Sequence, residues 1–178
     1  LLWYHYCDVN GIIVWQDMIN GGGKYGLEIS VIPFVNITLN DNNYSTFHRT
    51  DKEGRNLYYQ ELEEIVDTLY NCPCIALWVP FNEGWGQFDA AEAVRRIRAL
   101  DQTRTIDHAS DKTRIVDSAS GWHDMGKSDV ISKHIYFTPI KVKKGNRAYV
   151  LSEFGGLGLK LKGHTFNNKM FGYKVFFS

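Results

Sequence analysis

The chain has little cysteine, no net charge and no long apolar run, and each shortage removes a class of answer. Its three cysteines, Cys7, Cys72 and Cys74, are odd in number and irregular in spacing, which argues against a disulfide framework. Cys72-Pro73-Cys74 is too short for a C-x-x-C redox or zinc pair. Lysine plus arginine and aspartate plus glutamate stand at 20 each. With no basic excess to offset phosphate charge, nucleic acid is not an expected partner. No apolar run reaches the ~20 residues that cross a bilayer, so a membrane partner is not expected either. No signal-peptide pattern opens the chain, which starts at Leu1 rather than Met. Localisation stays open between the cytoplasm and export.

What remains is ordinary for a globular chain, at 44% hydrophobic and 22% charged residues, and long enough for one domain with a real core. Aromatic residues reach 14%, with five Trp and ten Tyr. Such residues fill cores, and their flat faces also stack on the apolar faces of sugar rings; composition alone does not choose.

Leu1 to Tyr6 reads as the tail of an amphipathic helix with Gly11 as its stop. Ile12-Ile13-Val14-Trp15 then reads as a short strand buried on both faces, as parallel strands are. A long Gly- and Asn-rich stretch, about 18–55, follows that strand's end, where binding loops sit. Asn56 is placed to cap a helix from Leu57 to about Tyr70, with Tyr58, Leu62, Ile65, Val66 and Leu69 on one face. Ile75–Val79 is a second buried strand, stopped by Pro80, and Asp89–Leu100 a second helix. Val130–Tyr136 and Ala148–Leu151 complete the clear strands, while the basic, aromatic tail from Lys160 has no assignable pattern. Short apolar strands alternating with helices predict an α/β fold with a parallel sheet.

A ten-residue tandem repeat interrupts this order. Thr103–Ser110 and Thr113–Ser120 share the pattern T-R-x-[I/V]-D-x-A-S. A ten-residue period is too short for a solenoid. One copy is expected to be a strand and the other to bulge out as a loop.

Two strands deliver a glutamate at their C-terminal ends, each with glycines behind it: Asn82-Glu83-Gly84-Trp85-Gly86-Gln87 and Ser152-Glu153-Phe154-Gly155-Gly156. That end of a parallel sheet carries the active sites of barrels and open α/β folds. A lone Glu83 would read as a helix N-terminal acid. Two equivalent carboxylates instead fit glycoside hydrolysis, in which one protonates the leaving oxygen and the other attacks carbon or activates water. No G-x-S-x-G elbow is present to support an esterase.

These segments resemble glycoside hydrolase family 2, the family of β-galactosidases, β-glucuronidases and β-mannosidases. The resemblance rests on Asn82 to Gln87, on Glu153, on Tyr6 to Asp17, and on Ser120-Gly121-Trp122 with His134-Ile135-Tyr136. It implies a TIM (β/α)8 barrel domain, present here from just before the third strand to just after the seventh, and a retaining β-glycosidase. Glu83 would be the general acid/base and Glu153 the nucleophile. Asn82 would bind the sugar 2-hydroxyl, and Tyr136 would hold the nucleophile ionised. Asp17 and His134 would bind sugar hydroxyls or make structural hydrogen bonds, and Trp122 would stack on sugar or fill core. No metal and no cofactor is expected, and the partner is a carbohydrate; β-galactoside is the first guess, with mannoside and glucuronide open.

An eightfold barrel takes about 250 residues. The chain is therefore expected to be an incomplete barrel over 1–178, without its first two strands, its eighth strand or flanking β-sandwich domains. Unpaired sheet edges would make it poorly stable or self-associating. A remnant that binds carbohydrate without cleaving it is the alternative.

Overall fold

The computed structural model describes residues 1–30, 37–101, 114–142, 144–165, 169 and 171–177. The element order is α1 (Leu2–Asn10), β1 (Val14–Asp17), α2 (Leu27–Ser30), α3 (Lys52–Leu69), β2 (Ile75–Val79), α4 (Ala90–Leu100), β3 (Ile115–Val116), β4 (Val130–Ile135), β5 (Ala148–Phe154), β6 (Leu157–Lys160) and β7 (Lys174–Phe177). No described helix is long and apolar enough to cross a membrane.

Strands β1, β2 and β3 form one parallel sheet in chain order, and β4 pairs with β5, also in parallel. Side chains stitch β3 to β4 where ladder bonds are missing. Asp129 donates its N–H to the Val116 carbonyl, and the Val116 N–H donates to the Asp129 carboxylate, both at 2.9 Å. Ser128 Oγ accepts from the Ser118 N–H at 2.8 Å and Ser132 Oγ from the Gly121 N–H at 2.9 Å. The described strands form α/β layers with parallel sheets and no closed barrel. The tail without an assignable pattern contributes β7, which pairs in parallel with β6 just ahead of it.

Strand β2 is buried on both faces and divides the core. Its Trp78 packs among α3 and α4 residues such as Leu62, Val66 and Ile97, while Leu77 and Val79 meet Val130, Ile115 and Val150 on the inner side. Helix α4 turns Ala90, Ala93, Val94 and Ile97 inward, at the spacing expected of one helix face.

Two expectations change. First, β1 begins at Val14, and Ile12, Ile13 and Trp15 are exposed. Among the described residues β1 is a sheet edge, so one side of it has nothing to pack against. Second, α3 starts at Lys52 rather than Leu57, and the long stretch 18–55 is not uniformly irregular, since it also contains α2. The cap is Asp51, whose carboxylate accepts from the N–H groups of Glu53 and Gly54 at 3.0 and 3.1 Å and so satisfies two of the orphan donors of a helix start. The second repeat copy provides β3, while the first, 103–110, lies outside the described residues.

The loop before α3 is anchored by a buried carboxylate. Asp41 is 5% exposed; its Oδ2 accepts from Gln87 Nε2 at 3.0 Å and from the Ala90 N–H at 2.9 Å, the first donor of α4. Asp41→Ala leaves the buried Gln87 amide with only its bond to the His123 carbonyl and strands a helix-start N–H, a loss of about 1–3 kcal/mol. Thermal unfolding should register it as a fall of several degrees. An unchanged midpoint would mean that the loop does not cap the helix.

Candidate active site

The ends of β2, β3, β4 and β5 bring four side chains together. Past Val79, Pro80 cannot continue the ladder, yet pairing with the β3 segment resumes as a parallel bridge between Asn82 and Ser120. Ser120 donates its N–H to the Phe81 carbonyl at 2.8 Å, and Glu83 donates its N–H to the Ser120 carbonyl at 3.0 Å. This clamp holds Glu83 at φ +53°, a left-handed conformation uncommon for a residue with a Cβ. Strain of this kind gathers at functional sites.

On the other side, β4 and β5 change register. Lys133 lies opposite Leu151, but His134 lies opposite Glu153, so Ser152 is the extra residue of a bulge. Bulges re-aim side chains, and this one sets Glu153 beside His134. Ser132 and His134, two residues apart on β4, are both buried.

His134 Nδ1 lies 2.8 Å from Glu83 Oε1. The Tyr136 hydroxyl lies 2.7 Å from the same oxygen and 2.5 Å from Glu153 Oε2. His134 Nε2 is 3.2 Å from Ser120 Oγ and 3.6 Å from Glu153 Oε1. A phenol has one proton to donate. For Tyr136 to be hydrogen-bonded to both carboxyls at once, one of them must itself carry a proton. The Glu83 side chain is 13% exposed and that of Glu153 is 47% exposed, so the first is the more enclosed.

The Tyr136 phenol is pushed far above its ordinary value, by burial first and then by its hydrogen bonds to Glu153 and Glu83; it therefore stays a donor. The Asp17 carboxyl is pushed up to about 6, by burial first, then by the negative charges of Glu153 and Asp117, with His134 opposing. Asp17 is substantially exposed, so solvent screens part of that effect. A carboxyl raised in the folded state contributes stability fully below its unfolded value, 3.8, and loses it as pH rises through about 6. Asp17→Asn should therefore be more stable than the parent at pH 7.5 and not at pH 3.5. Denaturant midpoints at the two pH values test this; a gain of the same size at both would remove ionisation as the cause.

Among the residues singled out in the sequence, Glu83, Glu153, His134 and Tyr136 meet directly. Asp17, at the end of β1, feels the Glu153 charge. Asn82 joins through its backbone bridge to Ser120. Trp122 is 8% exposed, its ring centroid 6.4 Å from that of His134, so it backs the histidine rather than offering a free face. Sequence reasoning gave no site role to Ser120, which holds the second nitrogen of His134, and did not single out Tyr173, which stacks on Tyr136 at 4.2 Å. Ser120 could have been found as the last residue of the repeat copy that precedes Gly121-Trp122; nothing in the tail marked Tyr173.

One donor atom each from Glu83, His134 and Glu153 lie within 4.8 Å of one another. This set could accept a divalent cation, although the same atoms are already engaged with one another and with Tyr136.

A family model described as glycosyl hydrolases family 2, TIM barrel domain, matches residues 1–176. No curated protein matches the chain.

Proposed function

The chain belongs to glycosyl hydrolase family 2 through its TIM barrel domain, and from that premise we propose that it hydrolyses β-linked O-glycosides with retention at the anomeric carbon. In this reading β1 to β5 are the third to seventh strands of the barrel. Glu153 attacks the anomeric carbon while Glu83 gives its proton to the departing oxygen, leaving a glycosyl ester on Glu153. Glu83 then takes a proton from water, whose oxygen displaces Glu153 and releases the sugar. Each glutamate ends as it began.

The observation that carries this reading is the single Tyr136 hydroxyl shared by both carboxyls. Sharing requires a close pair, and oxygens of the two glutamates come within 4.8 Å. Retaining pairs stand about 5–5.5 Å apart, whereas inverting pairs leave about 6.5–9.5 Å for a water. His134 Nδ1 and the Tyr136 hydroxyl reach the same oxygen of Glu83, orienting the acid. The Asn82 amide, beside Glu83, is assigned to the sugar 2-hydroxyl, and Asp17 and His134 to other hydroxyls. β-Galactoside is the first substrate to try, with mannoside and glucuronide next.

Binding without turnover is the second reading, favoured by the described strands, among which no closed sheet forms. The test is incubation with 4-nitrophenyl β-galactoside, β-mannoside and β-glucuronide, following the first sugar anomer released by NMR. A β anomer is expected. An α anomer would overturn the retaining mechanism, and sugar binding without release would favour the second reading.

A further inference from the structure

The repeat copy that supplies β3 ends in Asp117-Ser118-Ala119-Ser120, and its acid is 1% exposed. Asp117 donates its N–H to the Trp78 carbonyl at 3.0 Å, which fixes its backbone against β2. Its Oδ1 accepts from Ser128 Oγ at 3.4 Å. Its Oδ2 is buried with no hydrogen-bond partner among the described residues. Burial pushes the Asp117 carboxyl above its ordinary value, and the facing hydroxyls of Ser132, Ser120 and Ser128 oppose the rise. A buried carboxylate oxygen without a donor is costly, and it draws whichever hydroxyl proton can reach it.

Ser120 stands between this acid and the glutamates. Its Oγ lies 3.2 Å from His134 Nε2, and His134 Nδ1 lies 2.8 Å from Glu83 Oε1. A hydroxyl has one proton, and a neutral imidazole has one N–H and one bare nitrogen. Those counts couple the contacts. A Ser120 that gives its proton to Asp117 can only accept from His134, so Nε2 carries the ring proton. Nδ1 is then bare, and its contact with Glu83 is a hydrogen bond only if Glu83 brings the proton. That proton also faces the Tyr136 oxygen, 3.5 Å from Nδ1, while Tyr136 gives its own to Glu153. Ser152 Oγ, 3.5 Å from Ser120, is a weaker claimant than a carboxylate, and serving it would leave the same tautomer. The reverse tautomer would aim an N–H at Glu83 and favour its carboxylate, the wrong form for an acid.

We propose that Asp117 is a positioning residue for the hydrolysis: it takes the Ser120 proton, holds His134 as the Nε2–H tautomer and so keeps the leaving-group proton on Glu83. The proposal rests on the reading of Glu83 as the general acid. The same tautomer serves the second half of the reaction. Once Glu83 has given up its proton, a bare Nδ1 offers its carboxylate no hydrogen bond, which leaves that carboxylate a readier base toward water.

The test is the tautomer of His134, read by NMR in the full chain labelled with 15N-histidine. Protonated and bare ring nitrogens resonate far apart, and His134→Gln identifies the signal by its loss. The expected result is a protonated Nε2 and a bare Nδ1. The amide of Asp117→Asn can donate to Ser120 where the carboxylate could not, so the tautomer ratio should move about tenfold toward the Nδ1–H form. A protonated Nδ1 in the parent, alone or together with Nε2, would overturn the proposal without any variant. An unchanged tautomer in Asp117→Asn would overturn it too. Turnover gives a second readout. For Asp117→Asn, kcat/KM should fall about tenfold or more on methyl β-glycosides, whose leaving oxygen needs a proton. It should fall far less on 2,4-dinitrophenyl β-glycosides, with KM little changed on either. Equal losses on the two would make Asp117 a structural residue and sink the proposal. The expected tautomer with no glycoside hydrolysed would leave the proton chain standing and remove the acid role of Glu83; hydrolysis with the reverse tautomer would do the opposite.

Discussion

Replacing Glu153 with glutamine is expected to lower turnover by about 10⁴-fold or more on every β-glycoside the chain hydrolyses, above 5 kcal/mol at ~1.4 kcal/mol per decade. An amide cannot form the glycosyl ester, so no choice of leaving group restores the rate. Glu83→Gln should behave differently. General acid catalysis contributes about 10²–10⁴-fold, and only where the departing oxygen needs a proton. With a 2,4-dinitrophenyl aglycone, ester formation on Glu153 should continue almost normally and the intermediate should accumulate, because water lacks its base. Azide needs no base. It should relieve the Glu83→Gln block and yield a β-glycosyl azide. In Glu153→Gln, azide attacking directly from the opposite face would yield the α product. These two signatures assign the roles separately, and neither follows from misfolding. Near-normal rates in both variants would mean that the shared Tyr136 hydroxyl marks a structural cluster. Equal, leaving-group-independent losses would mean that the acid has been misassigned.

The placement of Glu83 and Glu153 was legible because each follows or ends a strand whose apolar run is readable by itself. Ile75–Val79 is buried along almost its whole length, so β2 left an unbroken hydrophobic signature with a polar break after it. Helix α4 was readable for the related reason that its inward residues repeat with helical spacing. The start of α3 was not, because Asp51 caps through its carboxylate and sits ahead of any hydrophobic periodicity. Strand β3 has only two residues and is bound to β4 largely through Ser128, Asp129 and Ser132 side chains; no propensity encodes that. Within the site, sequence gave residue types at strand ends but not which hydrogen-bonds which. That Tyr136 bridges both glutamates depends on the bulge at Ser152, and the contribution of Tyr173 depends on a contact across thirty-seven residues of chain. Nor could sequence supply the burial of Trp122, which is 8% exposed.

The largest effect without touching a charged or hydrogen-bonding side chain is expected at Gly121. Its φ is +82°, and a Cβ added there would stand 2.5 Å from His134 Nδ1 and 2.6 Å from Cδ2, closer still to Cγ. Two costs combine in Gly121→Ala. The backbone conformation is unfavourable for alanine by roughly 1–2 kcal/mol. The clash adds to it, because the imidazole side chain is fully buried and cannot simply swing away. Any movement lengthens the 2.8 Å contact to Glu83 and the 3.2 Å contact to Ser120. The variant should lose about 3 kcal/mol or more of stability, and turnover should fall with it wherever protonation of the leaving oxygen limits the rate. Gly126→Ala is the matching control: its φ is +76°, with nothing within 4 Å of the added carbon, so it carries the backbone cost alone. A double-mutant cycle with His134→Ala completes the argument. Removing the ring gives the new methyl its space, so Gly121→Ala should cost less in that background, approaching the Gly126→Ala value. If the cost of Gly121→Ala is the same with and without the imidazole, the glycine is required by its backbone alone, and His134 is not packed against it as the catalytic arrangement needs.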